Sequence, residues 1–69
     1  MKKRYYVSTV AQDNGDHEVH REGCLWLPEE DHRRYLGDCD SCHEAVNAAK
    51  KYYDKADGCK YCSSPCHTR

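Results

Sequence analysis

Two cysteines separated by two residues, in Gly58-Cys59-Lys60-Tyr61-Cys62, are the strongest chemical signal in this chain. A Cys-x-x-Cys turn lets two thiolates converge on one ion, as in a zinc knuckle. Gly58 is expected to take a positive φ just before it and let the backbone turn tightly. A tetrahedral site needs two more thiolate or imidazole donors. Three stretches offer them: His20-x-x-x-Cys24, Cys39-x-x-Cys42 and Cys66-His67.

Chain geometry weighs against the second of these. If Cys42 to Asp54 is helical, its ends lie about 18 Å apart at ~1.5 Å per residue. The steps from Asp54 to Cys59 reach about 17 Å when fully extended. The chain would have to run straight back along the helix, so a four-cysteine site through Cys39 and Cys42 is strained. Cys66 can return to Cys42 easily, which makes Cys42, Cys66 and the adjacent His67 a candidate second site or a disulfide. Cys42 also reads simply as a small buried residue on an apolar stripe. Cys39, between Asp38 and Asp40, is expected to be exposed. Cys59 and Cys62 do not look like a redox dithiol, because no helix follows to depress a thiol pKa.

Length and composition explain why such chemistry is needed. Sixty-nine residues allow one domain, with a short Cys/His tail over 63–69. A core this small usually needs a metal or disulfides as a staple. Six cysteines supply either, so a disulfide-stapled extracytoplasmic protein is the alternative to a metal module. Met1-Lys2-Lys3-Arg4 followed by Tyr5 to Val10 is too short and too polar for a secretory leader. A cytoplasmic, reduced, monomeric protein is therefore expected, with no membrane association, since no apolar run approaches ~20 residues. No catalytic triad, carboxylate pair or phosphate loop is visible, so no enzyme is expected.

The elements that must position these residues belong to the α+β class. Lys2 to Val10, rich in Tyr, Val and Thr, reads as a strand. Asn14-Gly15 predicts a two-residue hairpin turn, which sets Val10 opposite Val19 and Thr9 opposite His20. His17 to Arg21 is then the second strand. Leu25, Trp26 and Leu27 are too apolar for a free loop, and Trp26 and Leu27 read as a plug beneath the hairpin. After Pro28, Glu29-Glu30-Asp31 begins a single helical turn. Arg33 to Gly37 reads as a third short strand. Ser41 and Glu44 form a capping box opening one main helix over about 41–56. Cys42, Val46, Ala49, Tyr53 and Ala56 recur along it at helical spacing. His17, His32 and His43 are read as surface residues.

The order and spacing of these pieces resemble a known family. His20-x-x-x-Cys24, Pro28, Arg33-Arg34-Tyr35-Leu36-Gly37, Ser41-x-x-Glu44-Ala45 and Gly58-Cys59-x-x-Cys62 look like the Ada-type metal-binding domain. That domain stands at the N-terminus of the Ada DNA-alkylation-repair protein and in similar free-standing bacterial modules. The resemblance covers about residues 17 to 62. It implies a structural zinc held by His20, Cys24, Cys59 and Cys62. In Ada the first ligand is a cysteine that accepts a methyl group from DNA; here His20 matches that position. An imidazole binds zinc but is not the thiolate that methyl transfer uses, so alkyl acceptance is a weaker alternative.

The implied role is binding to a macromolecule, nucleic acid or protein. Lys2, Lys3, Arg4, Lys50, Lys51 and Lys55 form basic clusters, and Arg21, Arg33 and Arg34 lie near the hairpin and third strand. Tyr5, Tyr6, Tyr35, Tyr52 and Tyr53 would serve either as a base-stacking platform or as core aromatics in a chain without Phe. Twelve acidic residues are mixed among the basic ones, giving a formal net charge of −1, so no global field recruits nucleic acid. A protein partner meeting the tyrosines and Trp26 is the other expectation.

Overall fold

The computed structural model describes residues 2–68; Met1 and Arg69, the ends of the basic start and the polar tail, lie outside them. The fold is α+β, one helix against a four-stranded mixed sheet. Its strands are β1 (Lys3–Ser8), β2 (His17–Arg21), β3 (Arg33–Cys39) and β4 (Ala56–Gly58), and its helix is α1 (Cys42–Ala49). In space the strands run β3-β1-β2-β4. β1 is antiparallel to β2 and β3, whereas β4 lies parallel to β2.

Period-two alternation decides which side chains meet the helix. Tyr5 and Val7 of β1 and Val19 of β2 face α1, where Ala45 and Ala49 are completely covered. Cys39, Cys42, Ala56 and Cys66 complete this core, with Leu36, Val46 and Tyr53 packed at its margin. Small residues on α1 let it lie close to the sheet. Single turns of 3-10 helix at Glu30–His32 and Ser64–Cys66 complete the structure, the first of them where the segment after Pro28 predicts a helical turn.

The hairpin forms, but with a longer loop than a two-residue turn. Val7, not Val10, lies opposite Val19, and Tyr6, not Thr9, lies opposite His20. Strand β1 stops at Ser8, whose side-chain oxygen bonds locally with both the N–H and the carbonyl of Val10. Such local bonds draw a chain out of a ladder. The reversal itself is a turn in which Gly15 N–H donates to Gln12 O, with Gly15 at φ +89°. Val10 is left exposed.

The helix opens where the sequence places it and closes early. Ser41 accepts from Glu44 N–H at 3.5 Å, while Glu44 Oε2 reaches one residue further back, to Asp40 N–H at 3.0 Å. After Ala49 the bonds shorten to turn-like ones, Lys51 N–H to Ala48 O and Tyr52 N–H to Ala49 O. The segment that helical periodicity extends to residue 56 instead supplies β4. Tertiary contacts win over local periodicity here. Tyr53 stacks on His17 with ring centroids 3.8 Å apart, and His17 N–H donates to Lys55 O.

Three burial expectations are corrected. Trp26 is 60 % exposed and Leu25 96 % exposed, so neither is part of the core. Leu27 is only half-buried and stands outside the core cluster. The hairpin's inner face is already filled by α1, which leaves no space for a plug. Cys39, by contrast, is only 6 % exposed, because β3 extends to it and turns its side chain toward the helix.

Gly58 also has a different role from the expected one. It is not among the positive-φ glycines but is a fully packed strand residue. A Cβ there would lie 2.7 Å from Cys66 Cβ and 2.7 Å from Ser63 O. Backbone on one side and a fixed side chain on the other leave no room to give. Gly58→Ala should therefore lower stability by roughly 1–3 kcal/mol, the usual cost of overpacking. Leu25→Ala, at the exposed site, should stay within about 0.5 kcal/mol. Denaturant unfolding of the two variants at equal metal saturation measures both.

Candidate metal centre

The parallel pairing of β4 with β2 creates the site. Val19 lies level with Gly58, and Cys59 N–H continues the ladder by donating to Val19 O at 2.9 Å. The next residue on each strand, His20 and Cys59, therefore emerges on the face away from α1. Both are 1 % exposed. Beyond β2 the chain reverses at Gly23, whose φ of +83° favours glycine, and Cys24 N–H closes the turn onto Arg21 O. Beyond Cys59 a turn closed by Ser63 N–H to Cys59 O brings Cys62 back.

These two reversals aim four donors at one point. Cys24 Sγ stands 3.7 Å from His20 Nδ1 and 3.9 Å from Cys59 Sγ. Cys62 Sγ stands 3.9 Å from His20 Nδ1. All four donor atoms lie within 4.8 Å of one another. A tetrahedral ion with ordinary zinc bond lengths would have S–S edges of about 3.8 Å and S–N edges of about 3.6 Å. The donor set and its spacing fit a metal ion, and these residues could hold one.

The surroundings fit as well. Arg21 N–H donates to Cys62 Sγ at 3.2 Å, a contact that favours thiolate over thiol. His20 turns Nδ1 to the sulfurs and Nε2 toward Glu18, whose Oε1 is 3.7 Å away. A carboxylate behind a ligating imidazole fixes its orientation and raises its basicity. Burial pushes the His20 pKa down and keeps the ring neutral, as a ligand must be. Burial also pushes the Cys59 and Cys62 thiols up. That direction opposes a redox-active dithiol, whose thiolate must be stabilised without a metal. Three thiolates crowded together need a cation to coexist.

The structure brings together the set implied by the resemblance and separates the other candidates. Cys39 Sγ turns back toward Gly37 O and takes no part. Cys42 and Cys66 are joined by a disulfide. The six cysteines thus form one disulfide, and Cys24, Cys39, Cys59 and Cys62 are free. His67 does not join the Cys42–Cys66 cluster; its Nδ1 lies 3.1 Å from Gly58 O and 3.4 Å from Asp57 Oδ2. His43 takes that place, with Nδ1 3.5 Å from Cys66 Sγ. Its position one residue after Cys42 was the available signal. Glu18 and the Arg21 N–H carried no spacing signal, because their roles come from strand register.

Outside the donors, Trp26 and Tyr61 stack with centroids 5.3 Å apart, both more than half exposed. They line one groove with Cys24 and Cys62 and another with Cys59, Glu18 and His67. No protein-family model, curated protein or solved structure matches this chain.

Two outcomes follow from the site. Cys59→Ser leaves the completely buried corner without a thiolate, so it should abolish tight metal binding and make melting insensitive to chelator. Wild-type protein should lose its cooperative transition when chelator is added. Acid should act in the same direction. A folded-state pKa for His20 below its usual 6.5 means that the unfolded chain binds the extra proton first. Stability is then full above about pH 6.5 and falls as pH drops through the lowered value, with protons also displacing metal from sulfur. Chelator-free melting curves from pH 8 to about pH 4.5 check the sign.

Proposed function

We propose that this chain is a small zinc-stabilised binding module of the Ada-like type, in which the metal is structural and a macromolecule is the partner. The observation that carries it is the closure of His20, Cys24, Cys59 and Cys62 to tetrahedral edge distances. Three thiolates and one imidazole favour zinc over hard cations, which prefer oxygen donors. Four protein donors leave no open position for a substrate, which supports a structural ion. His20, where Ada-type methyl acceptance uses a cysteine, supports binding rather than alkyl transfer.

Two exposed aromatic faces support a partner of macromolecular size. On the β3 side, Arg33 lies over the Tyr6 ring at 4.8 Å and Tyr6 packs on Tyr35 at 5.4 Å. Arg4 and Arg33 line one groove with Tyr6 and Tyr35, and separately Arg34 lies 3.9 Å over Tyr52. Guanidinium groups beside rings suit phosphate and base together. Beside the metal centre, Leu25, Trp26 and Tyr61 make an apolar face that suits a protein. Among the described residues, no helix is long and apolar enough to cross a membrane.

Native mass spectrometry should show one zinc per chain, and denaturing spectra should show two hydrogens fewer than the reduced chain. No metal, or six hydrogens fewer, would point to the disulfide-stapled alternative. Labelled single-stranded and duplex DNA at ~50 mM salt then separate the partners, since phosphate-driven binding weakens steeply as salt rises. Binding lost in Arg4→Ala/Arg33→Ala and kept in Trp26→Ala/Tyr61→Ala assigns the groove of Tyr6 and Tyr35 to nucleic acid. Absence of binding at low salt removes nucleic acid and leaves the apolar face and a protein partner.

A further inference from the structure

The second group of soft donors lies where the start of α1 meets the tail. Cys42 opens α1, His43 follows it, and Cys66 ends the 3-10 turn at Ser64–Cys66. The ligand atoms of these three residues lie within 4.8 Å of one another, His43 Nδ1 being 3.5 Å from Cys66 Sγ. In the oxidised chain the two sulfurs are spent on each other. We infer that, once the disulfide is reduced, Cys42, Cys66 and His43 form a second binding site for a soft divalent cation, so that the redox state of this chain sets its metal stoichiometry.

Three features of the fold make the change small. First, both sulfurs already converge, so they must part only to the edge of a tetrahedral site, about 3.8 Å. The scaffold that holds them does not depend on the disulfide alone. Thr68 N–H and Oγ1 donate to Asp57 at 3.1 and 2.8 Å, and His67 bonds to Gly58 O, so the tail stays on β4 when the S–S bond is gone. Second, the imidazole is ready: His43 is exposed, and no carboxylate lies within ion-pairing reach of its ring among the described residues. Third, solvent reaches the group from two sides. Cys66 and His43 line a groove with Lys50, and Cys42 and His43 line another with Pro65. A reductant and then an ion can therefore enter.

The chemistry balances with a thiol as reductant. One thiolate attacks a sulfur of the Cys42–Cys66 bond, the other sulfur leaves as thiolate, and a second thiol resolves the mixed disulfide. The chain gains two thiols and the reductant becomes a disulfide. A divalent ion then binds two thiolates and the neutral imidazole and releases two protons. Three protein donors leave a fourth position for solvent or a small ligand, unlike the closed set at His20, Cys24, Cys59 and Cys62.

Zinc(II) and cobalt(II) titrations of the chain, oxidised or treated with a phosphine and desalted without air, test this. The first equivalent belongs to the four-donor centre, so its loss would concern that reading and not this one. Oxidised protein should saturate at one ion and reduced protein at two, the second adding cobalt–thiolate absorption. His43→Ala keeps both the disulfide and the first site. In its reduced form the second equivalent should weaken by about 100-fold or more, beyond the cost of an outer partner. A reduced wild type that takes one ion overturns the inference, and so does a reduced His43→Ala that takes two with unchanged affinity. Loss of the fold on reduction, read by circular dichroism of the zinc-loaded protein, overturns it too.

Discussion

Everything at the candidate metal centre depends on three residues of parallel strand. Ala56–Gly58 lies beside His17–Val19, and this register puts Cys59 next to His20 on the face away from the helix. Because side chains alternate along a strand, a slip of one residue would send Cys59 into the core and Gly58 to the donor cluster. The register is held where a glycine is required: Gly58 faces the core side, where Cys66 and Ser63 leave no room for a side chain. The same strand carries Asp57, which holds the tail through Thr68, so one short element positions both Cys59 and the tail.

The core alone offers little for such precision. Ala45, Ala49 and Ala56 supply little apolar surface, and only Val7, Val19 and Tyr5 add larger side chains to the central cluster. A chain of 69 residues with this core needs added constraints. The fold supplies two groups of residues that can provide them. On the helix side a disulfide ties the start of α1 to the tail. Where β2 and β4 end, four donors that could hold a metal ion bring the end of β2 to the turn after β4. Each constraint bridges elements distant in sequence, where loop-closure cost is largest.

The sequence made the donors legible because their signals are local. Cys-x-x-Cys and His-x-x-x-Cys specify turns, and turns survive whatever surrounds them. The α+β class and the start of the helix were legible for the same reason: Ser41 acts on its own first turn, and Asn14-Gly15 marks a reversal. The hairpin register was not, because Ser8 captures Val10 locally and shifts the pairing to Val7. Nor was β4, whose residues continue the helical stripe on paper; only the free edge of β2, invisible from spacing, draws them into a strand. Trp26 misleads in another way. Its apolarity suggests the interior, yet it lies outside the core beside the metal centre, stacked on Tyr61 from within the Cys-x-x-Cys turn.

X-ray absorption at the zinc edge tests the central claim most directly, because it reads ligand type and distance without a crystal. The zinc-loaded protein should show three sulfurs at about 2.3 Å and one imidazole nitrogen at about 2.0–2.1 Å. Replacing His20 with Cys should turn that shell into four sulfurs. A shell of oxygen and nitrogen alone, or a wild-type spectrum unchanged by His20→Cys, would contradict the account.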